Sequence, residues 1–187
     1  MESIDRKEIA ACLGGDDKSY ARLVQRYEAQ ITKLMWRFSR DPAECEELVQ
    51  EVFVEAYFSL KSYRGRAPFL HWLRKIGTRV GYRFWKEQAK RKALVPLTDF
   101  DAIEKKDTNE VDSQIAAEIL HSLLARLSKA DRLVLTLMYF EQNSTREIAA
   151  RMGWNRAMVK MRALRARKKL KKIAERENLL EKLGWIR

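Results

Sequence analysis

Little in this sequence interrupts a helix. Only seven Gly and three Pro are spread over 187 residues, and the alternating pattern of a half-buried strand is scarce, which argues against a sheet-built fold. There are two Cys. Cys12 and Cys45 stand alone, with no Cys or His at metal-ligand spacing, so neither a disulfide framework nor a metal site is expected, and both suit the reduced cytosol as small buried residues. The two His, His71 and His121, fall in different halves of the chain and give a shared metal site no support. No cofactor is implied. The longest apolar runs are too short to cross a bilayer, and Met1-Glu-Ser-Ile-Asp lacks the basic start and apolar run of a signal peptide. A cytoplasmic protein without membrane insertion is the expectation.

Acids are nearly missing from two tracts. From Lys61 to Lys92 there are eleven Lys or Arg against the single acid Glu87, and from Arg156 to Arg176 ten against Glu175 alone, within a net charge of +12. Two basic tracts suggest two contacts with a polyanion. Between them Asp99, Asp101, Glu104, Asp107, Glu110 and Asp112 outweigh Lys105 and Lys106 in a stretch opened by Pro96 and poor in apolar periodicity. It reads as a flexible acidic linker. The expected architecture is all-α: a helical domain over residues 1–94, a linker over 95–113 and a second helical domain over 114–187.

Apolar spacing predicts a short helix over Ile4 to Leu13, ended by Gly14-Gly15, and a longer one over Lys18 to Arg37 with Tyr20, Leu23, Val24, Tyr27, Ile31, Leu34 and Met35 inward. Asp41-Pro42 opens a third, because Pro suits a first helical turn, and it runs to about Leu60. A fourth spans Phe69 to about Arg91, with a bend or split expected near Gly77 or Gly81. In the second half Ile115, Ile119, Leu123 and Leu127 mark one helix and Ala130 to Tyr139 another.

The helix from Asp41 to Leu60 places Leu48, Val52, Ala56 and Leu60 in one row and Val49, Phe53 and Tyr57 in its neighbour. Its other side carries Asp41, Glu44, Glu46, Glu47, Glu51 and Glu55 and no Lys or Arg. Either this is a solvated face with acids favoured near the helix start, or it is a docking surface for a basic protein. Next, Tyr63 to Lys92 interleaves aromatics with cations: Tyr63, Arg64, Arg74, Lys75, Arg79, Arg83 and Lys86 can follow phosphates, while aromatic planes stack on bases that have left the duplex. A Gly/Pro-containing loop beside such a helix can hold a flipped base. For Phe69, Trp72, Leu73 and Ile76 the alternative is plain core at helical spacing, and for Trp72 and Ile76 it is the stronger.

Ser144 to Leu170 reads as a helix-turn-helix. Ser144 and Glu147 form a capping box, Ala149 lets two helices touch, Gly153 supplies the turn and Asn155 caps the second helix. Val159, Ala163, Ala166 and Leu170 make its packed stripe, leaving Ala157, Met161, Leu164 and Lys168 opposite. Lys160 and Arg165 are the candidates for base edges. Arg156, Arg167, Lys168, Lys169, Lys171 and Lys172 are candidates for phosphates. Met161 and Leu164 either read thymine methyls or are covered by a protein partner.

Glu44-Cys-Glu-Glu-Leu-Val-Gln-Glu-Val-Phe-Val54, followed by Phe69-Leu-His-Trp-Leu-Arg-Lys-Ile76, resembles the second conserved region of bacterial sigma factors of the extracytoplasmic-function group. Ser144 to Leu170, including Val159-Lys-Met-Arg162, resembles their fourth. The resemblance implies a region 2-like bundle and a region 4-like helix-turn-helix domain. It implies that the acidic helix, through Asp41, Glu46, Glu47, Gln50 and Glu51, binds the clamp helices of the largest subunit of core RNA polymerase. The loop after it and the following helix, with Tyr63, Arg64, Phe69, Leu70, Trp72, Arg74, Lys75, Arg79, Arg83 and Lys86, would recognise and open the minus-ten promoter element. Arg156, Lys160, Met161, Leu164, Arg165 and Lys168 would read the minus-35 element while the domain rests on the polymerase flap. An anti-sigma factor is a further implied partner, and the free chain is expected to be a monomer. The chain departs from the family pattern at Arg79, Arg83, Trp154, Asn155 and Met161, which bear on promoter preference.

The expectation is therefore a non-enzymatic initiation factor. Two rivals differ in what they need: a stand-alone helix-turn-helix regulator binds its operator as a dimer without polymerase, and a DNA recombinase or nuclease needs a carboxylate cluster or nucleophile that the sequence does not offer.

Overall fold

A computed structural model describes the backbone of residues 2–94 and 111–177 and the side chains of 4–90 and 117–177. Most of the expected linker, 95–110, lies outside the described residues. The chain divides into two compact units, Met1–Arg91 and Lys92–Arg187. Among the described residues there are eight α-helices and no strand.

The first unit holds α1 (Glu2–Leu13), α2 (Asp17–Met35), α3 (Pro42–Ser59) and most of α4 (Phe69–Leu94). Asp16 caps α2 by accepting from the Lys18 amide at 3.1 Å and the Ser19 hydroxyl at 2.6 Å, while Asp17 in the first turn and Lys33 in the last complement the helix dipole. Leu23, Tyr27, Ile31 and Leu34, at helical spacing, form its buried stripe. Asp41 caps α3 through the Glu44 amide at 2.9 Å, with Pro42 in the first turn. Leu48, Val49, Val52, Phe53 and Ala56 are buried, but Tyr57, expected in the same stripe, is 42% exposed and donates to Asp17 at 3.1 Å.

α4 runs unbroken through both glycines, so it is not split there. Their reason is tertiary. A Cβ at Gly81 would lie 2.3 Å from Cγ of Phe38, and one at Gly77 3.0 Å from a Leu34 methyl. The missing side chain lets α4 close on the turn after α2, where the Trp85 indole donates to the Phe38 carbonyl at 2.8 Å and the two rings sit 4.7 Å apart. Glycine inside a helix costs about 1 kcal/mol relative to alanine, and burying a Phe-sized side chain stabilises by about 1.5–3 kcal/mol, so the approach wins.

The second unit holds α5 (Val111–Ala125), α6 (Lys129–Leu135), α7 (Thr145–Met152) and α8 (Arg156–Arg176). Leu124, Leu127, Leu135 and Ala166 form a buried cluster against which Phe140 and Leu170 pack; Leu124, not the expected Leu123, carries the α5 contact. The helix expected from Ala130 to Tyr139 changes pitch at Thr136 into a π-type turn over Thr136–Phe140. Arg132 to Leu137 are all buried, so this segment is enclosed rather than one-faced. The widened turn ends with the Asn143 amide donating to the Leu137 carbonyl at 2.9 Å.

Candidate functional site

In the first unit the acidic face of α3 is narrower than its composition suggests. Glu44 is half-buried, accepting from the Ser39 hydroxyl at 2.5 Å and the Gln88 amide at 3.2 Å, and Asp41 is occupied as the cap. Glu46, Glu47, Gln50 and Glu51 are exposed. Beyond them the same side becomes apolar: Val54 is 54% and Phe58 80% exposed. This exposed apolar pair was not among the expected site residues. Its signal was present, since Val54 and Phe58 are four residues apart and belong to neither packed row.

The loop of residues 63–68 is closed on itself. The Tyr63 hydroxyl donates to the Ala67 carbonyl at 2.7 Å, and Gly65 takes the left-handed φ of 65° that a turn there requires. Beneath it Tyr63, Phe69 and Trp72 form a three-ring cluster with centroids 5.4 Å apart. Phe69 is 1% exposed. It is thus packed as a support for the loop, the core alternative that its helical spacing offered. Leu70, Trp72, Arg74 and Lys75 are half-buried, whereas Arg64, Arg79 and Lys86 are exposed, with the Lys86 ammonium 4.5 Å from the centre of the Tyr82 ring. Arg83, expected to follow phosphates, is paired within the unit: its guanidinium donates to Glu51 at 2.6 Å and Glu55 at 2.5 Å. The α3 face, with no cation of its own in sequence, receives one from α4.

In the second unit the capping box is present, with the Glu147 amide donating to Ser144 Oγ at 3.3 Å and the Ser144 amide to the Glu147 carboxylate at 2.7 Å. Gly153 ends α7 with φ 68°. Asn155 then starts α8, accepting from the Ala157 amide at 2.8 Å. Val159, Ala163 and Ala166 are buried, and Arg156, Lys160, Met161, Leu164, Arg165 and Lys168 are all exposed. Two exposed cations of the expected phosphate set also have partners within the unit: Arg167 donates to the Tyr139 hydroxyl at 3.4 Å and Lys169 to the Arg126 carbonyl at 2.8 Å. Arg162 is another anchor, 3.1 Å from Asp131 and 5.6 Å from the Trp154 ring centre. The outward face of α8 therefore sorts into Lys160, Arg165 and Lys168 around the apolar pair Met161 and Leu164.

A groove of about 400 Å³ opens between α5, the π-type turn and α8, lined by Leu120, Leu124, Tyr139, Phe140 and Leu170 with Arg167 among its walls. Leu120 is 39% and Tyr139 55% exposed. His121 in this unit lies 2.7 Å from the guanidinium of Arg132, whose charge burial disfavours, bringing its pKa down to about 10. His71 in the first unit is exposed.

Residues 23–91 match the family model of Sigma-70 region 2, and residues 117–170 that of Sigma-70, region 4. The chain is 30% identical over 166 residues to the ECF RNA polymerase sigma-E factor of Escherichia coli K12, covering 82% of this chain and 85% of that one. It is 28% identical over 179 residues to the RNA polymerase sigma-H factor of Pseudomonas aeruginosa, covering 90% and 92%. Among solved structures its fold is similar to CnrH in complex with the cytosolic domain of CnrY, with a TM-score of 0.62 at 23% identity over 92% of this chain and 97% of that one. It is also similar to the sigma factor RpoE of Bartonella quintana in complex with the anti-sigma factor NepR, with a TM-score of 0.57 at 18% identity over 84% and 98%.

Proposed function

This chain belongs to the extracytoplasmic-function group of RNA polymerase sigma factors, and from that premise we propose how its surfaces divide the work of promoter-specific initiation. The exposed acids Glu46, Glu47 and Glu51 with Gln50, and Asp41 at the head of the same helix, bind the clamp helices of the polymerase largest subunit. The loop of residues 63–68, with Arg64, Trp72, Arg79 and Lys86, meets the minus-ten element and helps to open it. Half-buried Leu70, Arg74 and Lys75 border that surface, and Phe69 supports it from below. Lys160, Met161, Leu164 and Arg165 read the minus-35 element, while Arg156 and Lys168 fix the helix on phosphates. The apolar groove beside α8 suits the polymerase flap.

The observation that carries this reading is the segregation of charge: exposed carboxylates gather on α3, and exposed cations on α4 and α8. One set suits a basic protein surface and the other a polyanion. Two weakly bound DNA-reading units gain affinity when the polymerase holds both, because the second contact is then made at high effective concentration. A stand-alone operator-binding regulator would have no use for the acidic face.

We assign the chain no catalytic step; RNA synthesis belongs to the polymerase. The site of action is the cytoplasm, and no described helix is long and apolar enough to cross a membrane. A partner of the anti-sigma kind, such as Bartonella RpoE has, would cover the same surfaces. Run-off transcription with core polymerase and genomic DNA tests the reading: new start sites are expected when the chain is added, and an unchanged set of start sites overturns it.

A further inference from the structure

α1 lies outside the region 2 match, which begins at residue 23, yet it reaches the loop of residues 63–68. A Cβ built on Gly65, at the apex of that loop, would lie 3.8 Å from Nε of Arg6. Arg6 is exposed. One residue earlier, Asp5 is buried, 3% exposed, and its carboxylate accepts from the Tyr27 hydroxyl at 2.5 Å and from Arg26 at 2.7 Å. Arg26 donates onward to Glu8 at 3.0 Å. Tyr27, 1% exposed, sets its ring 5.6 Å from Phe69, the floor of the aromatic cluster under the loop. A continuous chain of contacts thus joins α1 to both ends of the loop.

Stability alone does not call for such a cluster. A buried ion pair replaced by apolar groups of similar volume is commonly as stable or more so. What such a polar network supplies is a fixed geometry: both oxygens of the Asp5 carboxylate are taken, by Arg26 and Tyr27, while Oε2 of Glu8 has no hydrogen-bond partner. Here the geometry so fixed places a cation at the loop apex.

We propose that α1 is part of the promoter-opening site: Arg6 supplies a contact to a backbone phosphate of the opened strand beside Gly65, and Asp5, Arg26 and Tyr27 are positioning residues that hold α1 and the aromatic floor in register. This rests on the reading of the loop as the element that engages minus-ten DNA.

The test uses the full chain assembled with core polymerase, a duplex promoter taken from its own mapped start sites, and the same fragment premelted over the minus-ten region. Arg6→Ala is expected to weaken binding to the premelted fragment about fivefold and to make the salt dependence shallower by about one unit of slope, as for one lost phosphate contact; Arg6→Lys retains most of both. Tyr27→Phe is expected to slow opening of the duplex, read by permanganate reactivity of unpaired thymines, with the salt slope and core affinity unchanged. Arg64→Ala, in the loop itself, separates the two readings. If Arg64→Ala weakens binding and Arg6→Ala does not, the loop assignment stands and the role of α1 falls; if neither matters, the loop assignment falls and takes this inference with it. A Tyr27→Phe chain that loses thermal stability and core affinity together, with opening reduced only in proportion, overturns the positioning role.

Discussion

Arg83 Nη2 stands 2.6 Å from a carboxylate oxygen of Glu51, thirty-two residues earlier in the chain. A cation from the basic tract and an acid from the acidic face neutralise one another, with Glu55 as second acceptor. Both side chains are more than a third exposed, so solvent screens the pair and a double-mutant cycle should give only about 0.2–1 kcal/mol. Arg83→Ala should therefore weaken binding of the holoenzyme to a premelted promoter fragment less than Arg79→Ala, which should also lower the salt slope by about 0.9. Equal losses in a fluorescence anisotropy titration would mean that the pair opens when DNA binds.

Reversing charge at Glu47 and Glu51 should weaken assembly with core polymerase and leave binding of the isolated chain to duplex DNA intact. Competition with a labelled sigma factor for core measures the first, and electrophoretic mobility shift the second. An unchanged core affinity removes the acidic helix from the polymerase contact.

Gly81→Ala should destabilise the first unit although alanine is the better helix former. The helix propensity gain is about 1 kcal/mol, against an overpacking cost of about 1–3 kcal/mol because Phe38 is buried with its ring against Gly81 and Trp85 of α4. Gly77→Ala should cost less, since its nearest neighbours are the ends of Leu34 and Met35 side chains. Urea unfolding of the full chain, followed by tryptophan fluorescence, reads both; a more stable Gly81→Ala chain would contradict the close approach.

On α8, Arg165→Ala and Lys160→Ala should relax discrimination among minus-35 sequences, with about 1–3 kcal/mol lost for a bidentate base contact. Lys168→Ala should weaken all sequences alike. Binding to a randomised minus-35 library in the holoenzyme distinguishes the two patterns, and a uniform loss for all three variants would demote Lys160 and Arg165 to phosphate contacts.

Asp16 caps α2, and the Ser19 hydroxyl holds its carboxyl below the ordinary value of 3.8, helped by the Lys18 amide and Arg22. A carboxyl depressed in the folded state stabilises above its unfolded pKa, and that contribution disappears as pH falls through the lower folded value. Thermal melts taken from about pH 5 down to about pH 3 should lose stability more steeply for the native chain than for Asp16→Asn. Parallel curves would remove the carboxylate from the balance.

The helices were legible because their signals are local. Asp16, Asp41, Ser128, Ser144 and Asn155 each accept from a backbone amide two or three residues on. Most of the buried rows of α2, α3 and α8 follow from spacing, Tyr57 excepted, and so does the outward face of α8. Where spacing leaves a side chain's surroundings open, the deciding partner lies elsewhere in the chain. Phe69 fitted either core or a DNA contact by spacing, and Tyr27, Tyr63 and Trp72 close around it. The partners of exposed Arg167 and Lys169, the Tyr139 hydroxyl and the Arg126 carbonyl, likewise lie far away in sequence.

By itself the amino-acid order determined an all-helical chain, two basic tracts, an acidic helix and a capped helix-turn-helix, because a repeat of 3.6 residues and a cap are properties of neighbours. Tertiary structure alone decided that Gly77 and Gly81 admit a neighbour without splitting α4, that Arg83 serves Glu51 and Glu55, and that Asp5 reaches Tyr27 across twenty-two residues. Periodicity says which side of a helix is covered; only packing says what covers it.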